Sequence, residues 1–358
     1  MSFTFRVTIA SDRQFTTHRI RRRLLGGVRT LVTGASGLVG ANLVRLLLAR
    51  GHEVRAFVHR DTRGIDGLEV EQVHGDVRDP ASLTAACEGI EVVFHLAAVI
   101  AVERDADVPL QAVNVDGVRN VVDACVAAGV RRLVHVSSVH ALSREPAAVP
   151  IDETRPLALG PENHPYDRSK AQGEVEALRG LERGLEVVIL EPGGIFGPHD
   201  AVPSALGELL VQIAHRKIPA LPLAGFWWVD ARDVAEACLL AATGPHSGER
   251  YLIIAEYGPI KDIGVAVTLH TGVPAPWFST PLWLAWLTAP AAKALATWMG
   301  RRPLYTPASI HMLYGHQNIA TDKAQKELGF SPRRLSETYA DSIAWLQADG
   351  QIPAKRGS

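Results

Sequence analysis

Tyr166 and Lys170 are four residues apart, a spacing that places both side chains on one face of a helix. A tyrosine hydroxyl has a free pKa of about 10, so it exchanges protons poorly at neutral pH unless a neighbouring cation stabilises its phenolate. We expect Lys170 to supply that cation and to lower the pKa of Tyr166. Ser138 ends an apolar run between the glycine-rich start of the chain and Tyr166, and its hydroxyl can hydrogen-bond a substrate oxygen. Together the three side chains predict proton transfer at a carbonyl or alcohol oxygen.

A glycine-rich segment, residues 33–40, follows a strand-like apolar run and opens a helical pattern. Its glycines let the backbone turn tightly and approach phosphate groups, while the positive end of the following helix faces them. In this context the spacing predicts a site for the pyrophosphate of a dinucleotide, with a plain strand-to-helix turn as the alternative. The expected contacts are Gly34, Ser36, Gly37, Leu38 and Val39.

The ends of the next two predicted strands bear on the choice of cofactor. The first ends at His59 and Arg60, where an NAD site usually has an acidic side chain that hydrogen-bonds the ribose 2'-hydroxyl. An arginine can hold a 2'-phosphate through two hydrogen bonds, so Arg60 favours NADP, while NAD stays open and a solvated arginine is the alternative. The second ends at Asp76 and Val77. The Asp76 carboxylate is expected to accept a hydrogen bond from the adenine amino group, or else to be a solvated turn acid.

The elements that must position these side chains alternate along the chain. Apolar runs predict buried strands at residues 29–33, 53–58, 69–74, 91–95, 131–136, 186–190 and 250–254. Helical periodicity lies between them at residues 39–50, 80–87 and 108–128, and further residues from Tyr166 onwards read as another helix. This alternation predicts an α/β fold, a Rossmann doubly wound parallel sheet that binds ligands at the carboxyl ends of its strands.

The pattern changes after residue 190, where prolines and aromatic residues become frequent. We expect a smaller C-terminal substrate lobe interleaved with the sheet. The predicted organisation is an extension at 1–27, a cofactor-binding domain at 28–190, a mostly substrate-binding lobe at 191–347 in which 228–254 returns to the Rossmann part, and a tail at 348–358. No internal repeat is visible.

Composition limits the partners and the compartment. The chain has 358 residues, 47% of them apolar, and a net charge of -1, which gives no reason to expect nucleic acid or an anionic membrane surface as the main partner. Its three cysteines show neither metal-ligand spacing nor a disulfide framework, so we expect buried thiols, no metal and a cytoplasmic location. The arginine-rich residues 1–27 lack a signal-peptide core; we expect a disordered extension or a misassigned start, with a transit-like or regulatory arm as the alternative.

The most apolar stretch, residues 274–300, holds Trp277, Trp283, Trp286 and Trp298. Pro281 and Pro290 interrupt it, so a helix that spans a membrane is not expected. Three interpretations remain: packing within the lobe, a wall or lid over an apolar substrate, and contact with a membrane interface.

Several motifs together resemble the extended short-chain dehydrogenase/reductase family, within the NAD-dependent epimerase/dehydratase superfamily. The resemblance covers residues 29 to about 346 and rests on residues 33–40, 75–77, 95–98, 114–117, 137–138, 166–170 and 197–198. Residues 54–58, and the tail from Thr321 to Phe330, are similar to the dihydroflavonol reductase-like and 3β-hydroxysteroid dehydrogenase-like branch.

The resemblance implies roles that the residue patterns alone do not give. It makes Ser138, Tyr166 and Lys170 a catalytic triad, with Lys170 also binding the nicotinamide ribose, and it assigns Asn114 to the support of the active site. Backbone contacts to the cofactor are implied at Ala97, Ala98, Pro192, Gly193 and Ile195. A homodimer is implied through helices around residues 108–128 and 166–181.

The chain departs from the family pattern in two places. His59 occupies the position where many NADP-using relatives carry an arginine, and Arg60 follows one residue later. Glu191 precedes Pro192, whereas sugar-nucleotide epimerases often have an arginine or an asparagine in this part of the sequence. A carboxylate beside a nucleotide diphosphate would be unfavourable, so we interpret Glu191 as evidence against a sugar-nucleotide substrate.

The function expected first is an NAD(P)-dependent oxidoreductase acting on an apolar, ring-bearing carbonyl or secondary alcohol. His140, Phe226 and Trp227 are the expected substrate contacts, since an apolar pocket needs aromatic lining, with packing of its loop as the alternative for His140. The second hypothesis is a sugar-nucleotide epimerase or dehydratase, for which Arg301 and Arg302 are the available diphosphate clamp. The third is a catalytically idle cofactor-sensing protein, although such a protein has no need of the Ser, Tyr and Lys trio.

Overall fold

A seven-stranded parallel sheet lies at the centre of the computed structural model, which describes residues 27–100, 109–244, 246–298, 313 and 318–354. The strands occur in the order β10-β6-β5-β4-β1-β2-β3. Their bounds are β1 Arg29–Thr33, β2 Glu53–Val58, β3 Glu71–His74, β4 Val92–His95, β5 Arg132–Val136, β6 Glu186–Pro192 and β10 Arg250–Ile253. This order is that of a doubly wound dinucleotide-binding sheet with β10 added at one edge, so the predicted fold class is confirmed.

Helices cover both faces of the sheet because its strands are apolar on both sides. On one face α1 (Leu38–Ala49) packs with α6 (Ala231–Thr243); on the other lie α2 (Pro80–Cys87), α3 (Gly117–Ala127) and α4 (Pro165–Leu178). Short 3-10 segments occur at Arg63–Ile65, Val139–Ala141 and Leu181–Arg183. The two resulting cores hold the strand ends, and therefore the site, in fixed positions.

The helix expected at residues 108–128 is not uniform. Ala112–Asp116 forms a π-helical turn before α3, and residues 101–108 lie outside the described part. The wider turn places the buried Asn114 side chain against the segment after β4, where it bonds both backbone groups of Val99. π-turns of this kind occur frequently at functional sites.

The second lobe is more regular than its sequence indicates. It contains a three-stranded sheet in the order β11-β9-β7 and a pair formed by β8 and β12. The bounds are β7 Gly194–Phe196, β8 Ala220–Pro222, β9 Gly225–Asp230, β11 Glu256–Pro259 and β12 Phe278–Thr280, with helices α5 Ala205–Ala214, α7 Ile260–Thr271, α8 Leu282–Trp298 and α9 Leu335–Ala348, and a π segment at Ala324–Leu328. A core around Phe196, Trp228 and Tyr339 joins α5, α7 and α9 to the small sheet.

Several predictions fall on particular parts of the chain. Residues 1–26 of the expected extension, Arg301, Arg302 and the last four residues of the tail lie outside the described residues. The three cysteines are buried free thiols, as expected. Among the described helices, none has the length and hydropathy needed to cross a bilayer.

Candidate active site

The predicted site residues meet at one edge of the sheet. Gly34 follows β1, Ala97 follows β4, Ser138 follows β5 and Gly193 follows β6. Since these strands are parallel neighbours, their carboxyl ends open onto the same cleft. Ala98 stands one residue beyond Ala97, while Pro192 ends β6 and Ile195 lies in β7, against the core.

The glycine turn has the shape that a phosphate site requires. Gly34 has a positive φ of 68°, and a Cβ there would lie 2.8 Å from the Ala97 amide nitrogen. A Cβ on Gly40 would lie 2.1 Å from the Gly34 carbonyl oxygen, so only glycine lets α1 pack this closely on the turn. Gly37 caps α1 without a side-chain hydrogen bond, and the first turn holds no acid. The first N–H groups of α1 thus fit a dinucleotide pyrophosphate, beside Ser36, Leu38 and Val39.

The residues that follow β2 and β3 meet at the Asp76 carboxylate. His59 Nε2 lies 3.3 Å from Asp76 Oδ2, and Arg78 donates from Nε and Nη2 to the same carboxylate. The Arg78 hydrogen bonds hold the pKa of Asp76 at about 2. Arg60 is exposed, and among the described residues no hydrogen bond or ion pair holds its guanidinium. Arg60 is therefore available to an anion, whereas Asp76, the expected adenine acceptor, already has protein donors on both oxygens.

Two further predicted residues lie behind the cofactor edge. The Val77 side chain is buried in the core, and a Cβ on Gly117 would lie 2.9 Å from its Cγ2. Asn114 Nδ2 donates to the carbonyl oxygen of Val99 at 2.9 Å and to Ser169 Oγ at 3.1 Å. Asn114 therefore ties α4 to the loop after β4, which makes it a positioning residue.

Ser138, Tyr166 and Lys170 come together between β5 and α4. Pro165 starts α4, and the His164 side chain accepts a hydrogen bond from the Tyr166 amide, so the tyrosine lies in the first turn. Lys170 follows one turn later and its Nζ donates to the Val136 carbonyl oxygen at 3.2 Å. Ser138 lies near enough to Tyr166 for its hydroxyl to favour a lower pKa of the phenol. All three side chains are buried, which excludes bulk water from the reacting groups.

Burial controls the pKa values of this trio. Desolvation raises the pKa of Tyr166 well above its usual value, the Ser138 hydroxyl opposes that rise, and the charge of Asp167 adds to it. The expected lowering of the Tyr166 pKa is therefore not found in the protein alone, where the net shift is upward and desolvation is its largest cause. Burial also lowers the pKa of Lys170 to about 8, against the opposing charge of Glu174.

Two buried histidines, for which the sequence predicted no part in the reaction, lie near Lys170. His95 and His135 are register partners in β4 and β5, with rings stacked 5.3 Å apart, and Thr33 Oγ1 lies 2.7 Å from His95 Nδ1. Burial and the charge of Lys170 lower the pKa of His95 to about 3, and burial, His95 and Lys170 hold the pKa of His135 well below its usual value. Both imidazoles are therefore neutral, and Lys170 keeps the positive charge of this group.

A buried ionic cluster adjoins Lys170 on its other side. Arg250 Nη2 contacts Glu191 Oε1 at 2.8 Å, and Arg250 Nε lies 3.3 Å from Glu174 Oε2. Burial raises the pKa of both glutamates. Glu191 is fully buried and points to β10, so our interpretation of it as a residue facing a diphosphate is wrong. The i+4 spacing from Lys170 could have indicated that Glu174 lies near the lysine. Nothing in the sequence indicated Arg250, which is 59 residues from Glu191.

His140, two positions after Ser138, packs against Tyr166, and its expected contact with the substrate stays a prediction. Its ring packs edge-on to Tyr166 and is stacked with Phe226, each at 5.9 Å. His140 Nδ1 lies 3.4 Å from Asp167 Oδ1, and Arg144 Nη2 lies 3.1 Å from Asp167 Oδ2. Burial raises the pKa of Asp167, but His140 and Arg144 more than offset it, so the acid stays charged.

The aromatic residues of β9 divide between two faces of the strand. Phe226 and Trp228 share one face within the lobe core, with ring centroids 5.3 Å apart. Phe226 also stacks on His140, and Trp228 donates from Nε1 to the Gly258 carbonyl oxygen at 2.8 Å. Trp227 is half-buried beside Val139 and Leu142, near the loop that carries Ser138. The structure thus brings His140 to Tyr166, with Phe226 stacked on His140, and places Trp227 next to the loop that carries Ser138.

Comparison with known proteins adds to this geometry. The model of the family described as the NAD dependent epimerase/dehydratase family matches residues 30–254. Sterol demethylase protein B of Methylococcus capsulatus is 37% identical over 330 residues, which cover 90% of this chain and 99% of that protein. A putative dihydroflavonol 4-reductase of Synechocystis sp. is 32% identical, across 90% of this chain and 95% of that protein.

The likeness extends to solved structures. The crystal structure of gox2253 superimposes with a TM-score of 0.77 at 34% identity, and the match covers 90% of this chain and 99% of that chain. Coverage of this extent includes the second lobe as well as the parallel sheet.

Proposed function

The chain belongs to the NAD-dependent epimerase/dehydratase family, and on this premise we propose that Ser138, Tyr166 and Lys170 carry out its chemistry. The protein is an NAD(P)-dependent oxidoreductase of the extended short-chain dehydrogenase/reductase type, as the sequence motifs predicted. It reduces a carbonyl, or oxidises a secondary alcohol, on an apolar, ring-bearing small molecule. The observation that carries the proposal is the buried trio at the carboxyl end of β5, beside His140, Phe226 and Trp227, which we call the aromatic wall.

The trio divides the work at one substrate oxygen. Tyr166 donates its hydroxyl proton to the carbonyl oxygen during reduction and accepts the alcohol proton in the reverse direction. Ser138 hydrogen-bonds the same oxygen and holds it in line with the phenol. The charge of Lys170 stabilises the phenolate that remains after proton transfer. When bound, the nicotinamide supplies the hydride to the carbonyl carbon, or accepts it from the alcohol.

The glycine turn and the edges of β4 and β6 are proposed to hold the dinucleotide. The first turn of α1 takes the pyrophosphate, and the backbone at Ala97, Ala98, Pro192, Gly193 and Ile195 contacts the remainder. Arg60 is proposed to bind a 2'-phosphate, with His59 beside it, which makes NADP the preferred cofactor. Asp76 and Val77 are proposed to lie beside the adenine.

The substrate class follows from the aromatic wall and from the relatives. The names of two relatives refer to a sterol and to a dihydroflavonol, which are both fused-ring compounds. His140, Phe226 and Trp227 are proposed to contact the rings, because flat apolar substrates pack well on aromatic side chains. The elements from β7 to α9, without α6 and β10, are proposed to form the substrate lobe, with α6 and β10 as its return to the Rossmann part.

We also propose a homodimer in the cytoplasm. The outward faces of α3 and α4 are adjacent and carry Arg119, Val175 and Arg179. Two antiparallel helix pairs from two copies can pack across such a surface with two-fold symmetry. The buried free thiols fit a reducing compartment.

Turnover with a substrate panel tests the proposed function. The purified full chain is incubated with NADPH or NADH and with steroid ketones, flavanones, acyclic ketones and a sugar nucleotide, while cofactor absorbance and products are followed. We expect NADPH oxidation with the cyclic ketones. Isomerisation of the sugar nucleotide without any ketone or alcohol turnover would overturn the proposal in favour of an epimerase.

A further inference from the structure

Four tryptophans of the second lobe project into solvent. The exposed fractions are 93% for Trp277, 66% for Trp283, 57% for Trp286 and 84% for Trp298. The expectation that they pack within the lobe is therefore wrong. Indole rings usually supply buried contact area, so a group of exposed ones marks a surface that binds something.

Helix α8 has the reverse of an ordinary amphipathic pattern. Its fully buried residues are Ala285 and Ala289, which are four apart and face the protein. Trp283, Trp286 and Leu287 lie on the opposite side, at the i, i+3 and i+4 spacing of one helical stripe. The helix thus contacts its own lobe through Ala285, Ala289 and the partly buried Leu282, and it presents Trp283, Trp286 and Leu287 outward.

The apolar surface extends beyond the helix. Leu223 is 55% exposed, and its amide donates to the Thr280 carbonyl oxygen at 2.9 Å, at the end of β12 that leads into α8. Trp277, at the other end of β12, is almost fully exposed. We call the set the tryptophan face; its members are Leu223, Trp277, Trp283, Trp286, Leu287 and Trp298.

The sequence around α8 contains cationic residues and no acidic ones. From Ile263 to Thr321 the sequence contains no aspartate or glutamate, although the whole chain has 38. Its charged residues are Lys293, which lies on α8, and Arg301 and Arg302. Exposed tryptophans in a segment of sequence that has cations and no acid are complementary to an anionic lipid surface, because indole rings favour the headgroup region and cations favour the negative potential.

We propose that the tryptophan face docks the protein on the surface of an anionic lipid bilayer, with α8 lying in the interfacial plane. A second copy of the chain fits this face less well, since a two-fold contact would set cation against cation. Docking of this kind leaves the protein peripheral, with its indoles among the headgroups. The inference concerns binding and stands apart from the proposed reaction.

Vesicle flotation of the full chain tests the inference. Vesicles of phosphatidylcholine alone are compared with vesicles that also contain phosphatidylglycerol, and brominated phospholipid serves to quench tryptophan fluorescence. We expect co-flotation with the anionic vesicles, weakened by added salt, and quenching of the exposed indoles. Absence of flotation with the anionic vesicles would overturn the inference.

Two variants locate the contact. Trp283→Ser/Trp286→Ser removes the centre of the tryptophan face, and we expect its partition into anionic vesicles to fall on the order of tenfold or more. Val149→Ser, at a valine that is 52% exposed outside this face, should leave partitioning unchanged. Thermal melting and cofactor binding verify that both variants fold. If the double variant does not fold, Lys293→Glu takes its place, with weaker anionic binding expected.

The remaining outcomes count against the inference. Equal flotation of the double variant and the wild type would place the lipid contact elsewhere. A wild-type dimer that becomes monomeric in the double variant, with no lipid binding, would assign the tryptophan face to a second copy of the chain.

Discussion

Burial shifts the proton equilibria of Tyr166 and Lys170 in opposite directions, and each shift favours the neutral group. The pKa of the phenol rises well above its usual value, and that of the amine falls to about 8. Below pH 8 the lysine is nevertheless charged while the tyrosine holds its proton. The free protein is therefore prepared to donate a proton, which is the state that carbonyl reduction requires.

The pH dependence of catalysis should report Lys170. As pH rises through about 8, the amine loses its charge and can no longer stabilise the phenolate, so kcat/KM for ketone reduction should fall above that pH. Lys170→Arg keeps a cation at all accessible pH values and should move this decline to higher pH, even if its overall rate is lower. An identical pH profile for the variant and the wild type would contradict this assignment.

Arg60 should determine the preference for NADPH over NADH. Arg60→Asp replaces two charge-assisted hydrogen bonds to the 2'-phosphate by repulsion, a change worth about 1.5–3 kcal/mol, so KM for NADPH should rise by about 10- to 100-fold while KM for NADH does not rise. Arg63→Ala is the matched control, because Asp61 already binds that guanidinium. Steady-state kinetics with both cofactors measure the ratio. An unchanged NADPH to NADH preference in Arg60→Asp would contradict the role.

Among the elements, the turn between β1 and α1 meets two separate demands. Gly40 is needed for packing, because its Cβ would lie 2.1 Å from the Gly34 carbonyl oxygen. Gly37 is not, because its nearest neighbour would lie 3.4 Å away, which is ordinary van der Waals contact. What Gly37 provides is an open approach to the first N–H groups of α1.

Two alanine substitutions separate those demands. Gly40→Ala should destabilise the cofactor-free protein by roughly 1–3 kcal/mol, as overpacked sites do. Gly37→Ala should leave that stability nearly unchanged but weaken cofactor binding, since the added methyl group occupies the approach of the pyrophosphate. Urea unfolding and cofactor titration measure the two effects. Equal stability of both variants, with unaltered cofactor affinity, would be inconsistent with this account.

How much of this could be predicted depends on the range of the interactions. Parallel strands are apolar on both faces, so β1 and β2 were predicted to the residue, and the trio followed from its i, i+4 spacing and from Ser138. The ionic pair between Glu191 and Arg250 was not predictable, because the two residues meet only after β6 and β10 pair. The direction of the Tyr166 pKa shift was wrong because burial cannot be read from spacing.

The whole molecule combines a rigid sheet edge with a second lobe whose aromatic residues serve two purposes. Phe226 is buried in the lobe core and stacks on His140, while Trp283 and Trp286 face outward. Composition alone did not predict which of these aromatic side chains are buried and which are exposed, because a count of tryptophans does not show where they point. After β9 the chain returns to the large sheet, where α6 packs on α1 and β10 pairs with β6.

At this scale the proposed dimer is open to a direct test. Size-exclusion chromatography with light scattering should give twice the chain mass of 38.6 kDa. Val175→Arg, on the outer face of α4, should shift the protein toward the monomer by placing a charge in the helix-to-helix contact. Val265→Arg, at an exposed valine of α7, is the control and should stay dimeric. A wild-type chain of single mass would contradict the proposal.

The most direct test of the central claim is deuterium transfer from NADPH labelled at the nicotinamide C4 position to a cyclic ketone. We expect the wild-type protein to place the label on the former carbonyl carbon, and Tyr166→Phe to lose that transfer by at least about 100-fold while it still binds NADPH, because only the proton donor is missing. Undiminished transfer by Tyr166→Phe, or an absence of label in the wild-type product, would contradict the account.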